Sequence, residues 1–154
     1  MWQRKQTIFL VLTSVCMILM IFFPFWKAVE DGVEKVLFPL HYTIRIQGEP
    51  NTVYFPYAFS AILAVAAATL AIIEIGKFED RMLQIKLGAL NSLLMMGSLG
   101  CMVFFATGLI KENQLEGQYG LALWLPFIAM VSNLIANRFI RRDEKLVRDS
   151  DRIR

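Results

Sequence analysis

Residues 8–26 read IFLVLTSVCMILMIFFPFW, nineteen positions without an Asp, Glu, Lys or Arg. At 1.5 Å of rise per helical residue such a run covers about 28 Å, close to the roughly 30 Å hydrocarbon core of a bilayer. Three more charge-free windows follow: Pro56 to Ile73, Leu87 to Ile110 and Tyr119 to Asn137. The chain has 154 residues, 56% of them hydrophobic, and its 16 basic and 13 acidic residues are crowded between and beyond these windows. That segregation excludes a soluble globular domain. It predicts an all-α membrane protein, a four-transmembrane-helix bundle with spans at about 6–26, 55–76, 86–110 and 119–140. Short joints leave no room for a separate soluble domain, so residues 1–154 read as one integral membrane domain.

The first window does not read as a secretory signal. Its run exceeds the roughly 7 to 15 residues of a signal core, no small-x-small cleavage site follows, and Phe22-Phe23-Pro24-Phe25-Trp26 closes it with interfacial aromatics. Nor is Thr13-Ser14-Val15-Cys16 a lipoprotein box, because the apolar run continues past the cysteine. Cys16 and Cys101 both fall inside apolar windows and are expected to be buried free thiols.

Basic residues set the orientation. Arg4, Lys5, Lys77, Arg81, Lys86 and seven residues of the C-terminal tail lie at one end of the spans. Only Lys27, Lys35, Arg45 and Lys111 lie at the other. Twelve against four predicts both termini inside, N-in and C-in.

The outer loop, 27–54, starts with a charged stretch, Lys27 to Lys35. Beyond it Leu40, Tyr42, Ile44 and Ile46 alternate with His41, Thr43 and Arg45, the period of a half-buried strand. After the breaker Gln47-Gly48-Glu49-Pro50-Asn51 comes the β-favouring Thr52-Val53-Tyr54-Phe55. One small extracytoplasmic β-hairpin between helices 1 and 2 is expected, leaning on the bundle mouth because an isolated hairpin is marginal in water. His41 reads as an exposed strand residue.

Small residues predict how the helices pack. Ser60, Ala64 and Ala68 recur in span two, and Gly88 with Ser92 and Gly97 with Cys101 in span three, so these two spans are expected to be close antiparallel neighbours. Pro126 falls in the second or third turn of span four and is expected to kink it. No internal repeat of the kind found in inverted-repeat carriers is visible.

Chemistry is sparse. Asn91, Asn137 and Glu74 all fall near the inner boundary of their spans, Asn133 lies one turn deeper, and Thr13 and Ser14 reach a similar depth. A polar cluster in the inner half of the bundle is therefore expected, either as interhelical hydrogen-bond glue or as a ligand site. Glu74, between Ile73 and Ile75, reads as a solvated interfacial carboxylate in preference to a functional one. A single histidine and two membrane-embedded cysteines make no zinc site, and no nucleophile elbow, phosphate loop or HExxH motif is present. No cofactor, no nucleic acid and no enzymatic activity are expected. The eight methionines read as gap-fillers.

The tail, 141–154, is the most patterned polar segment. Phe139, Ile140, Leu146, Val147 and Ile153 recur at about seven residues, and Glu144 precedes Arg148 by four. Span four then either runs on as a cytoplasmic helix or bends onto the membrane with Arg141, Arg142, Lys145 and Arg148 towards anionic lipid headgroups or a partner.

Gln3-Arg4-x-Gln6 before the first span, Leu125-Pro126 in the last, and Arg142-Asp143-Glu144-x-Leu146-Val147-Arg148-x-x-Asp151-Arg152-Ile153-Arg154 at the C-terminus carry a resemblance. The chain resembles domain-of-unknown-function family 4293, four-span membrane proteins of the Bacteroidetes. The resemblance supplies no activity. It implies a multi-pass protein of a cell inner membrane, with the hairpin in the periplasm. The resulting expectation is a non-enzymatic assembly or interaction subunit with a protein partner or a second copy of itself. The alternative is a small-solute or lipid transporter or channel subunit built on the polar cluster.

Overall fold

Four helices carry the apolar windows: α1 (Lys5–Phe22), α2 (Ala58–Gly76), α3 (Arg81–Asn113) and α4 (Leu121–Arg152). The computed structural model describes residues 5–30, 32–46, 48–114 and 117–152. Readings that fall on Gln3, Arg4, Gln47, Ile153 and Arg154 lie outside these residues. All four helices are long and apolar enough to cross a membrane. α3 starts earlier than its apolar window because the Asp80 side chain caps it, accepting from the Leu83 backbone N–H at 2.9 Å. α4 passes through Pro126 and continues as one helix to Arg152, so the tail extends the last span.

Each helix buries one narrow stripe with alternating steps of four and three. On α1 the stripe is Gln6, Leu10, Thr13, Met17 and Met20; on α2 it is Ser60, Ala64, Ala67, Ala71 and Glu74. On α3 it is Gln84, Gly88, Asn91, Met95, Ser98 and Met102; on α4 it is Ala122, Pro126, Ala129, Asn133, Ala136 and Ile140. This period of about 3.5 is that of a left-handed bundle with knobs-into-holes packing. The helices form a ring in chain order, closed by an extensive contact of α1 with α4. The packing is inside-out for a soluble protein. Small and polar residues line the interior, while Ile8, Leu93, Phe104 and Leu134 stand 60% or more exposed.

The small-residue rows meet in part as expected. α2 and α3 are antiparallel neighbours, and Ser98 Oγ donates to the Ser60 carbonyl at 2.9 Å. Gly97 meets Leu63 of α2, but Gly88 and Ser92 face α4, and Gly100 and Gly108 have open space beside them. Both cysteines are free; Cys16 is buried and Cys101 half-buried.

The all-α expectation with one small hairpin is overturned. Five strands, β1 (Trp26–Glu30), β2 (Val33–Leu37), β3 (Tyr42–Ile46), β4 (Glu49–Val53) and β5 (Gln118–Tyr119), form one antiparallel sheet in the order β4-β3-β2-β1-β5. Four of them lie between α1 and α2, and the fifth lies between α3 and α4. The charged stretch Lys27 to Lys35 lies in the hairpin of β1 and β2, with Lys27 and Glu34 on one face and Glu30 and Lys35 on the other. Trp26, Ala28, Leu37 and Tyr42 turn into the bundle core. On the opposite face Glu34 joins Lys27 at 2.6 Å and Arg45 at 3.1 Å across three strands. The two tight turns contain Gly32 and Gly48 at φ +77° and +92°, where glycine carries no Cβ penalty. Glu49-Pro50-Asn51, read above as a breaker, belongs to β4, the edge strand, where a residue without an N–H is tolerated.

β5 ties the last linker to the first. Trp26 pairs with Tyr119, and the Gly120 N–H donates to the Phe25 carbonyl at 2.9 Å. A Cβ at Gly120 would strike the Pro24 carbonyl, so only glycine permits this approach.

Candidate functional site

The end of the bundle opposite the sheet collects the buried amide and carboxyl side chains. Gln6, Glu74, Gln84, Asn91 and Asn133 are each less than 5% exposed, and Asn137 is 8% exposed. Gln6 on α1, and Gln84 and Asn91 on α3, occupy the same 4-3 stripes that carry Met17, Met20, Met95 and Met102 nearer the sheet. The interior is thus polar at one end and sealed by methionines at the other.

The expected cluster resolves into two groups that share α3, and a separate contact between α1 and α4. Between α3 and α4, the Asn133 amide donates to the Gly88 carbonyl at 2.8 Å and to Ser92 Oγ at 2.9 Å. Ser92 in turn donates to the Gly88 carbonyl at 3.0 Å, and the Asn137 side chain lies directly over Gly88. Between α2 and α3, Gln84 Nε2 donates to the Glu74 backbone carbonyl at 2.7 Å. Asn91 sits one heptad from Gln84 on the same stripe, fully buried. Thr13 joins α1 to α4 through the Ala129 carbonyl at 3.2 Å, and Ser14 is also buried.

Glu74 is fully buried, not solvated as its position in the sequence implies. Both of its carboxylate oxygens, both side-chain polar atoms of Asn91 and the carbonyl oxygens of Gln84, Asn133 and Asn137 have no hydrogen-bond partner among the described residues. Such groups each cost about 1–3 kcal/mol when left unpaired. Most are acceptors, so the interior presents oxygen atoms to whatever occupies the space between them.

Gln84 is absent from the expected cluster, although a signal for it existed. It falls seven residues before Asn91 and fourteen before Ser98, on one stripe. Its position before the charge-free window hid it.

The basic tail residues are placed by the continuous α4. Arg141, Lys145 and Arg148 line a groove of about 380 Å³ with Ile85 of α3, and Glu144 and Asp149 line it too. Arg142 is exposed outside this groove. Leu146 is 62% exposed, whereas Phe139 stacks on Phe9 at 5.9 Å and Ile140 is fully buried. The expected apolar stripe is therefore split, its upper part used inside the bundle and Leu146 left outside it.

At the sheet end His41 lies in the turn before β3, not in a strand. It stacks on Phe38 at 4.9 Å, with Tyr54 at 5.7 Å, and burial lowers its pKa from 6.5. Burial also pushes the Tyr42 hydroxyl up to about 12. Lys27, and after it Arg45, hold the Glu34 carboxyl below its ordinary value. Among the described residues no three His, Cys, Asp or Glu side chains converge to hold a metal.

The chain matches the family described as a domain of unknown function (DUF4293) over residues 2–153. It belongs to the DUF4293 family. No curated protein matches it. This DUF4293 protein therefore takes its architecture from the arrangement above: a four-helix bundle, capped at one end by a sheet and polar inside at the other.

Proposed function

We propose that this protein is a non-enzymatic interaction subunit of the cell inner membrane, a multi-pass protein with both termini in the cytoplasm and the sheet in the periplasm. The inside-out packing supports burial of the helices in lipid, and the excess of Lys and Arg at the end opposite the sheet supports the orientation. The observation that carries the interaction role is the length of α4. Its 32 residues extend about 48 Å, well past a hydrocarbon core of about 30 Å. The excess is a helical arm that presents exposed Leu146 among Arg142, Lys145 and Arg148. An apolar side chain on a charged arm fits a protein partner or a second copy of the chain.

Crosslinking from a photoreactive residue at position 146 in native membranes tests the role. A discrete adduct is the expected result, and in a separate variant removal of residues 143–154 should shrink the native complex while membrane insertion persists. No adduct, together with native complexes of unchanged size after the truncation, removes the reading. Cysteines at Val29 and Leu146, both exposed, should label from opposite sides of the membrane.

The unpartnered oxygens around Glu74 favour a second reading, a small-solute transporter or channel subunit. Water-accessible labelling of Asn91→Cys and Asn133→Cys supports it, and protection of both removes it.

A further inference from the structure

Ala89, Ser92 and Leu134 wall a cavity of about 390 Å³ between α3 and α4, which Asn137, Arg138 and Arg141 complete at the basic end. Its chemistry changes along its length. Ala89 and the 60% exposed Leu134 belong to the apolar outer surface, continuous with Leu90, Leu93 and Val131. One to two turns along α4 come two guanidinium groups, Arg138 and Arg141, with no acidic side chain among the described lining residues. Asn137, more than nine-tenths buried, turns an amide into the same wall. The neighbouring groove differs: there Arg141, Lys145 and Arg148 are offset by Glu144 and Asp149. Arg141 lines both grooves, and on the side it shares with Arg138 the described lining carries positive charge alone, where the apolar surface ends.

We propose that this groove binds one phospholipid with an anionic headgroup, its phosphate between Arg138 and Arg141 and an acyl chain along Ala89 and Leu134. A guanidinium presents paired N–H donors matched to phosphate oxygens, and two of them one turn apart hold a phosphodiester from both sides. The groove commits to a lipid because half of it lies on surface suited only to hydrocarbon. A free phosphate would leave that half unused. The proposal rests on the reading that the helices span a bilayer, but not on the interaction role of the α4 arm.

Native mass spectrometry of the full-length protein, released from detergent with phosphatidylglycerol or phosphatidylcholine, tests it. Phosphatidylglycerol should be retained at a stoichiometry of one and phosphatidylcholine far less. Arg138→Ala with Arg141→Ala should weaken that retention by about tenfold or more, the loss expected for one or more charge-assisted contacts. The charge-matched control, Lys77→Ala with Arg142→Ala, should change it by less than about twofold. Ala89→Trp, at an exposed position, fills the apolar half without altering charge and should also displace the lipid. Equal losses in the two double variants, equal retention of both lipids, or undiminished binding in Ala89→Trp would overturn the site. Inorganic phosphate competing as well as phosphatidylglycerol would also overturn it. Sodium carbonate extraction of native membranes keeps the bilayer reading separate: protein released there fails that reading, whereas protein retained without lipid preference fails only the site.

Discussion

The Asn137 side chain occupies the space that a Cβ on Gly88 would need, with its amide in contact with the bare Cα of the facing helix. α3 and α4 approach so closely at this level that a hydrogen in place of a methyl group decides the fit. Gly88→Ala should therefore destabilise the protein by about 1–3 kcal/mol, the usual cost of overpacking. Asn137→Ala should relieve most of that loss in the double variant. Thermal unfolding of the four proteins, wild type included, measures the coupling.

Glu74 is the reverse case, a side chain whose removal is expected to help. Its carboxylate is fully buried and has no hydrogen-bond partner among the described residues, so Glu74→Leu should raise stability by roughly 1–3 kcal/mol. Unfolding in detergent reads the gain. A loss of stability instead would show that a bound water or ion had been satisfying the carboxylate.

The ion cluster on the sheet has a pH signature. Glu34 is held below its ordinary pKa of 4.5, first by Lys27 and then by Arg45. Its contribution is present above the unfolded value and is lost as pH falls through the lowered folded value. A carboxyl titration followed by NMR should place its midpoint below 4.5, and Lys27→Ala should move it up further than Arg45→Ala.

His41 titrates low for a different reason, burial between aromatic rings. Neutral imidazole is the folded form, so its contribution is present above 6.5 and is lost as pH falls through the lowered folded value. Phe38→Ala should expose the ring and bring its NMR midpoint back towards 6.5.

The helices were legible because exclusion of charge is a bulk property that no single residue can disguise. The sheet was only half legible. Tyr42, Thr43 and Ile44 alternate cleanly, but in Lys27 to Lys35 both faces carry charge, and the ion pairs that make this tolerable join residues on different strands. Distance in sequence also hid β5, since nothing in Gln118-Tyr119 announces a partner at Trp26. The inner polar residues could be named from their depth, yet depth alone did not tell which neighbour each would meet. Asn133 reaches Gly88 and Gln84 reaches Glu74, pairings set by helix rotation. The 4-3 stripe carries that rotation, and hydropathy averages it away.

The pairing of β1 with β5 also sets how the two ends of the bundle are held. Through that ladder the linkers at the outer ends of all four helices are joined in one hydrogen-bonded unit, with Trp26 packed beneath it. At the far end, among the described residues, the turn after Gly76 connects α2 with α3, and no strand joins α1 to α4. The two ends are therefore held by different means, the sheet end by a continuous backbone ladder and the polar end, beyond that turn, by side-chain contacts such as Asn133 with Gly88 and Gln84 with Glu74, so that substitutions loosen the second where they would leave the first intact.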